Sequence, residues 1–271
     1  MKNDKYRLIL EDYKIMSGKK LYRIEALKNF GPVETGDLGG YIESENNLSC
    51  DGNAWIWDGA YVYDNARIYD NAIIGGNAKV YGNAIIYDNA QIYDNARVYH
   101  NARICDNARV YNNAWVYGNA KVKDNAWVYG SAWVYGNTII CDITKICKNA
   151  MVYGNAIIED NAIIDDEAKV YENARIYNNA WIRGNAKLRG NIVVSDNTNW
   201  FIIGPIGSRS DFTTFALGED KNIYVSCGCF YGNIKEFEKA VKKTHAGTKY
   251  KEDYQLAIAL AKSKIGSNKN K

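Results

Sequence analysis

Chemistry needs side chains that move protons, attack carbonyls or hold charge, and this chain offers few of them in a suggestive spacing. It has two histidines, His100 and His245. Histidine is the usual general base at neutral pH, because its ordinary pKa lies close to it. His100 stands in Tyr99-His100-Asn101-Ala102, where neighbouring segments carry Asp or Gly. It is the one candidate for a catalytic residue; the competing reading is a substituted turn residue. Nothing in the chain has the signature of Ser/His/Asp catalysis.

Two further groupings lie near the C-terminus. Gly204-Pro205-Ile206-Gly207-Ser208-Arg209 could present backbone N–H groups, a hydroxyl and a guanidinium to a phosphate, with Thr213 and Thr214 close behind. The spacing is not that of a P-loop, which ends in Lys-Ser/Thr. Gly207, Ser208, Arg209, Thr213 and Thr214 are therefore the expected ligand-binding residues, against the alternative of a plain Gly-Pro turn with a surface arginine. Cys227-Gly228-Cys229 could point both thiols to one side of a strand, with His245 as a third group. Zinc pairs use wider spacing and no fourth ligand is evident, so no metal and no cofactor are expected.

These groups sit on or beside a strict repeat. YDNARIYDNA, YGNAIIYDNA, YDNARVYHNA and YENARIYNNA share one unit, aliphatic–Tyr–Asp/Gly–Asn–Ala–variable. Its phase runs from Asn47-Leu48 to Asn197-Thr198 with no insertion or deletion. In Ala–variable–aliphatic, alternation turns Ala and Val/Ile inward and the middle residue outward. The Asp/Gly and Asn slots suit a corner, since both tolerate left-handed backbone angles. Three such sides close a triangular coil of 18 residues. About eight coils at strand spacing give a prism on the order of 40 Å long.

The repeat resembles that of the hexapeptide-repeat family, and this resemblance implies an all-β solenoid, a left-handed parallel β-helix, over residues 47–198. Residues 1–46 break the pattern and read as an N-terminal β cap: KYRLIL and KKLYRIEAL form a hairpin through SGKK. Residues 199–271 read as a small α+β module. It should have three strands with turns at Gly204-Pro205 and Glu219-Asp220, a helix presenting Ile234, Phe237 and Val241 on one face, and a second helix over EDYQLAIALAKSKI. SNKNK should fray.

Residues 18 apart form columns. Tyr63, Tyr81, Tyr99, Tyr117, Tyr135, Tyr153 and Tyr171 make an unbroken ladder beside Lys79, Arg97, Trp115 and Trp133. Two readings compete: shielding of the sheet, or an interface of Tyr81, Tyr99, Tyr117, Tyr135, Tyr153, Trp115 and Trp133. Asp70, Asp88, Asp106, Asp124, Asp142 and Asp160 share a corner column, where neighbouring cations should offset their repulsion.

Composition narrows the function. The formal net charge of +3 does not favour nucleic acid as a partner, although aromatic and basic residues interleave on one face. Residues 199–271 hold 12 Lys/Arg against 7 Asp/Glu, so any basic bias lies there. The N-terminus has no signal-peptide pattern, no stretch approaches a membrane span, and the six cysteines follow no disulfide-scaffold spacing. A cytoplasmic protein without a membrane partner is expected.

GPIGSR, TTF, VSCGCFYG, EFEKAV and TH in the tail, with LYRIEALKNFGPVETGDLGGYIE at the entry, are similar to segments of hexapeptide-repeat proteins of phages and prophages, and the entry also to bacterial proteins labelled putative transferases. The resemblance implies a phage-type, homo-oligomeric binding protein, a trimer in many of its relatives, acting in the host cytoplasm. Host takeover or anti-defence is the implied setting, with a host protein or small nucleotide as ligand. The rivals are an acyltransferase using His100 and a virion-associated structural protein. The family's acyltransferases place their histidine near a loop that interrupts the coils, and no such loop lies near His100.

Overall fold

The computed structural model describes residues 3–266. The repeat folds as expected into a parallel β-solenoid. Each rung is a two-residue strand, such as Arg97–Val98, paired in parallel with Lys79–Val80 before it and Trp115–Val116 after it. Two sides of the prism are eight-stranded sheets; the third has eleven strands, the first three from the N-terminal segment.

The sequence dictates this geometry residue by residue. Every Ala and aliphatic slot from Ala66 to Ala132 is fully buried or within 1% of it. Each buried aliphatic side chain contributes about 1.5–3 kcal/mol, and coils bury it only against their neighbours. The corners are left-handed, with φ near +57° at Asp94, Asn112 and Asp124, and near +70° at Gly82 and Gly118. A Cβ at Gly118 would stand 2.8 Å from Gly136 N, a close approach that glycine relieves.

Two side-chain ladders bind the coils along the axis. Asn65, Asn83, Asn101, Asn119, Asn137, Asn155, Asn173 and Asn191 form an unbroken amide chain, each Nδ2 donating to the next Oδ1 at 2.8–3.2 Å. The aspartate column works differently from the expectation. Asp70, Asp88, Asp106, Asp124 and Asp142 each accept the backbone N–H of the next aspartate at 3.0–3.3 Å, and Asp160 accepts that of Asn178. Backbone donors thus compensate the negative charge, with Lys123 adding a salt bridge at Asp124.

Both ends are closed. At the N-terminus a hairpin of Tyr6–Met16 and Lys19–Ala26 leads through Leu38–Ile42, which pairs in parallel with the Tyr61–Val62 rung. Lys5 is wholly buried under this cap. Its ammonium donates to Ser49 O at 3.1 Å and Ala54 O at 2.9 Å and lies over the Phe30 ring; burial lowers its pKa to about 8.

At the C-terminus an antiparallel sheet of Trp200–Ile206, Asp211–Leu217, Ile223–Cys227 and Phe230–Asn233 packs under helices α1 (Ile234–Thr244) and α2 (Tyr250–Gly266). That is one strand more than expected. Gly204-Pro205 is not a turn, as expected, but part of the edge strand, where proline displaces no ladder donor. The chain instead reverses over 207–210. Ile234, Phe237 and Val241 do share the buried face of α1, and Asn233 caps it with a reciprocal Glu236 bond. SNKNK lies outside the described residues.

Candidate functional site

The module docks firmly on its own solenoid. Thr214 Oγ1 accepts Lys187 N–H at 3.0 Å, Asp211 and Lys187 form a salt bridge at 3.3 Å, and Glu219 N–H donates to Asn191 O at 3.0 Å. Arg189 lays its guanidinium 4.6 Å above the Tyr231 ring. Gly190 admits the tip of that ring: a Cβ there would stand 1.8 Å from Tyr231 Oη.

On the far side of the same sheet lies a cavity of about 340 Å³. The reversal at 206–211, the Cys227–Phe230 hairpin, the last turns of α1 and Tyr254 of α2 all contribute to it. Apolar walls come from Ile206, Phe230, Phe237 and Val241. A hydroxyl–thiol chain runs across the Cys227 wall: Thr213 Oγ1 donates to Cys227 Sγ at 3.1 Å, and that thiol contacts Tyr254 Oη at 3.7 Å. Burial first and the Cys227 contact second push the Tyr254 hydroxyl well above the ordinary tyrosine range, so at neutral pH it keeps its proton and can donate. The His245 ring packs against Tyr254 at 5.2 Å. Ser208 and Arg209 are exposed at the rim. Among the described residues, no hydrogen bond or ion pair engages the Arg209 guanidinium, the Ser208 hydroxyl or the His245 ring nitrogens.

The expected ligand residues are therefore divided. Ser208 and Arg209 line the cavity, and Gly207 lies beneath it, buried against the Tyr254 hydroxyl. Thr213 reaches the cavity through Cys227. Thr214 points the other way and secures the module to the solenoid, because adjacent strand residues face opposite sides. Cys227, Cys229 and His245 line this same cavity. Sequence reasoning missed Phe230 and Tyr254 as part of it. The apolar periodicity of α2 was the only signal for Tyr254, and it reads equally well as core; Phe230 is an apolar strand residue with no signal of its own.

His100 is an exposed corner residue with φ +58°, packed edge-on against Tyr99 at 4.8 Å and Tyr117 at 6.3 Å. Among the described residues no hydrogen bond to the imidazole is shown, and its orientation comes from the two tyrosine rings. Asp88, Cys105 and Asp106 bring one ligand atom each within 4.8 Å of the others. Burial raises the Cys105 thiol to about 11, it donates to Asp106, and Asp88 accepts Asp106 N–H. Every one of those atoms already has a protein partner.

The tyrosine ladder is real. Tyr63 to Tyr171 stack with centroids 4.7–5.0 Å apart and planes within 7°. Trp115 and Trp133 stack beside it at 5.1 Å, with Arg97 over Trp115. Because the rings cover one another, Tyr81, Tyr99, Tyr117, Tyr135, Tyr153, Trp115 and Trp133 are all half-buried. The face is a row of ring edges, not an open apolar patch.

Among known families, the model described as YdcK beta solenoid repeat matches residues 60–76, 90–103 and 102–118. No curated protein matches the chain. No helix among the described residues is long and apolar enough to cross a membrane. The matched segments lie wholly within the stacked coils, and with the three parallel sheets they make this chain a β-solenoid repeat protein.

Proposed function

We propose that this chain is a non-catalytic binding protein, in which the solenoid is a rigid rod and the C-terminal module holds a small ligand. The observation that carries this is the cavity of about 340 Å³, apolar in its walls, with Ser208, Arg209 and His245 converging on it. That combination, a concave apolar site with a few polar groups free to bond, is what small-molecule sites share. The exposed His100 gives the acyltransferase reading no comparable support. The resemblance to phage and prophage proteins supplies the setting: host takeover or anti-defence in the host cytoplasm, with a nucleotide signal or a host factor as target. All six cysteines are free, which accords with a reducing compartment. The working form is a homo-oligomer, with the row of ring edges on the tyrosine–tryptophan face as its contact surface.

A thermal-shift panel of nucleoside monophosphates, cyclic dinucleotides and acetyl-CoA tests the reading. Stabilisation by a nucleotide, abolished when Ala240→Trp fills the cavity from α1, is the expected result. Stabilisation by acetyl-CoA alone, lost in His100→Ala with the fold intact, would overturn it in favour of the acyltransferase.

A further inference from the structure

The charge at the rim of the cavity bears on what it holds. One lip carries Arg209, whose guanidinium runs beside the Gly228 turn; a Cβ on Gly228 would lie 3.4 Å from Nη1. The nearby carboxylate, Asp211, is already committed to Lys187 Nζ at 3.3 Å and to Phe212 N–H at 2.7 Å. Among the described residues the Arg209 guanidinium makes no hydrogen bond or ion pair, although its charge helps to lower the Asp211 carboxyl. The C-terminal end of α1 also lines the cavity, through Thr244 and His245. Val241 O and His245 O already accept His245 N–H and Thr248 N–H, and the other last-turn carbonyls, beside Lys242 and Lys243, are left to accept from hydrogen-bond donors. Apolar lining comes from Ile206, Phe230 and Val241.

From this we infer that the site takes a small planar anion. Its carboxylate or phosphate sits at Ser208 and Arg209, its ring lies against the apolar walls, and a donor-bearing edge faces the end of α1. The inference rests on reading the cavity as a ligand site and adds the ligand's class. A cavity of about 340 Å³ suits one ring system with one charged group, at the small end of the range of ligand pockets. A cationic ligand would meet Arg209. A bare anion would leave the apolar walls unfilled.

Calorimetric titration of the full chain with AMP, adenosine, inorganic phosphate and the aromatic sulfonate 8-anilinonaphthalene-1-sulfonate tests this. AMP should bind about tenfold or more tightly than adenosine, since a charge-assisted bond to guanidinium is lost in the nucleoside. Arg209→Gln, at an exposed position and checked for an unchanged melting temperature, should erase the difference and leave adenosine binding as it was. Equal binding of AMP and adenosine, or a preference that survives Arg209→Gln, overturns the inference while the ligand-site reading stands. Phosphate binding as tightly as AMP overturns it as well. If AMP, adenosine and the sulfonate all fail to bind, the inference and the reading fall together.

Discussion

Two threonines in one coil form an internal experiment on buried polarity. Thr138 and Thr144 both occupy alanine slots of the repeat and are completely buried. Thr144 Oγ1 donates to Cys141 O at 2.9 Å, whereas Thr138 Oγ1 has no partner among the described residues. Valine keeps the branched shape and replaces the hydroxyl with a methyl. At Thr138 it removes an uncompensated buried hydroxyl, for an expected gain of about 1–3 kcal/mol. At Thr144 it removes a satisfied bond, for an expected loss of about 0.5–1.5 kcal/mol. In a chain this long, 1 kcal/mol moves the melting temperature by roughly 2–4 °C. Thr138→Val should therefore melt above the native protein and Thr144→Val below it, by calorimetry or tryptophan fluorescence. The contrast of sign cancels any general effect of valine in the slot. Losses of similar size in both variants would refute the argument, because they would show that the Thr138 hydroxyl is as well bonded as that of Thr144.

Asn119→Ala interrupts the asparagine ladder by removing the bond received from Asn101 at 3.0 Å and the bond given to Asn137 at 2.8 Å. It should cost about 0.5–1.5 kcal/mol in chemical denaturation, and an unchanged midpoint would make the ladder decorative. Burial raises Tyr99 and Tyr153 to about 12, so their contribution to stability is intact below the ordinary tyrosine value near 10 and is lost as pH climbs from there through 12. Phenolate absorbance should rise late over that window, together with unfolding; a single midpoint near 10 would contradict the stacked ladder. Gly190→Ala drives a Cβ into Tyr231 at a residue with φ +75°, so it should loosen the module and expose the 195–199 linker to protease while the coils stay intact. Unchanged cleavage would show that Tyr231 does not hold the dock.

The solenoid is legible because each coil contacts only its neighbours, so a period of six in sequence becomes a period in space. The hairpin at Tyr6–Ala26 and the buried face of α1 are legible for the same reason: local alternation and helical spacing carry them. The cavity is not local. Ser208, Phe230, Val241 and Tyr254 come from four separate segments, and only the closed module brings them together. The division between Thr213 and Thr214 depended on which face of their strand would meet the solenoid, and nothing in TTF states that. The aspartate column misled for a subtler reason. Counting charges suggests repulsion, but at a left-handed corner the next coil's N–H points at the carboxylate, and that donor has no signature in a side-chain sequence.

The solenoid's own surfaces also argue for locating function in the module. Stacked parallel coils have two open ends and would grow into fibres if either were left bare. Here the N-terminal sheet covers one end, with Lys5 occupying two carbonyls of the first coil, and the antiparallel sheet covers the other. The outermost strand, Tyr6–Met16, is an edge in its own right, yet its register with the neighbouring strand breaks between Ile9 and Tyr13, the kind of irregularity that blunts edge pairing. Along the sides, asparagine amides bond to asparagine amides, aspartates to corner N–H groups, and tyrosine faces to tyrosine faces. These ladders bind the coils to one another. In the module, by contrast, Ser208, Arg209 and His245 border an apolar hollow while making no side-chain hydrogen bonds among the described residues. The rod is bonded extensively along its length, and the apolar hollow at its capped end is where the proposed ligand would sit.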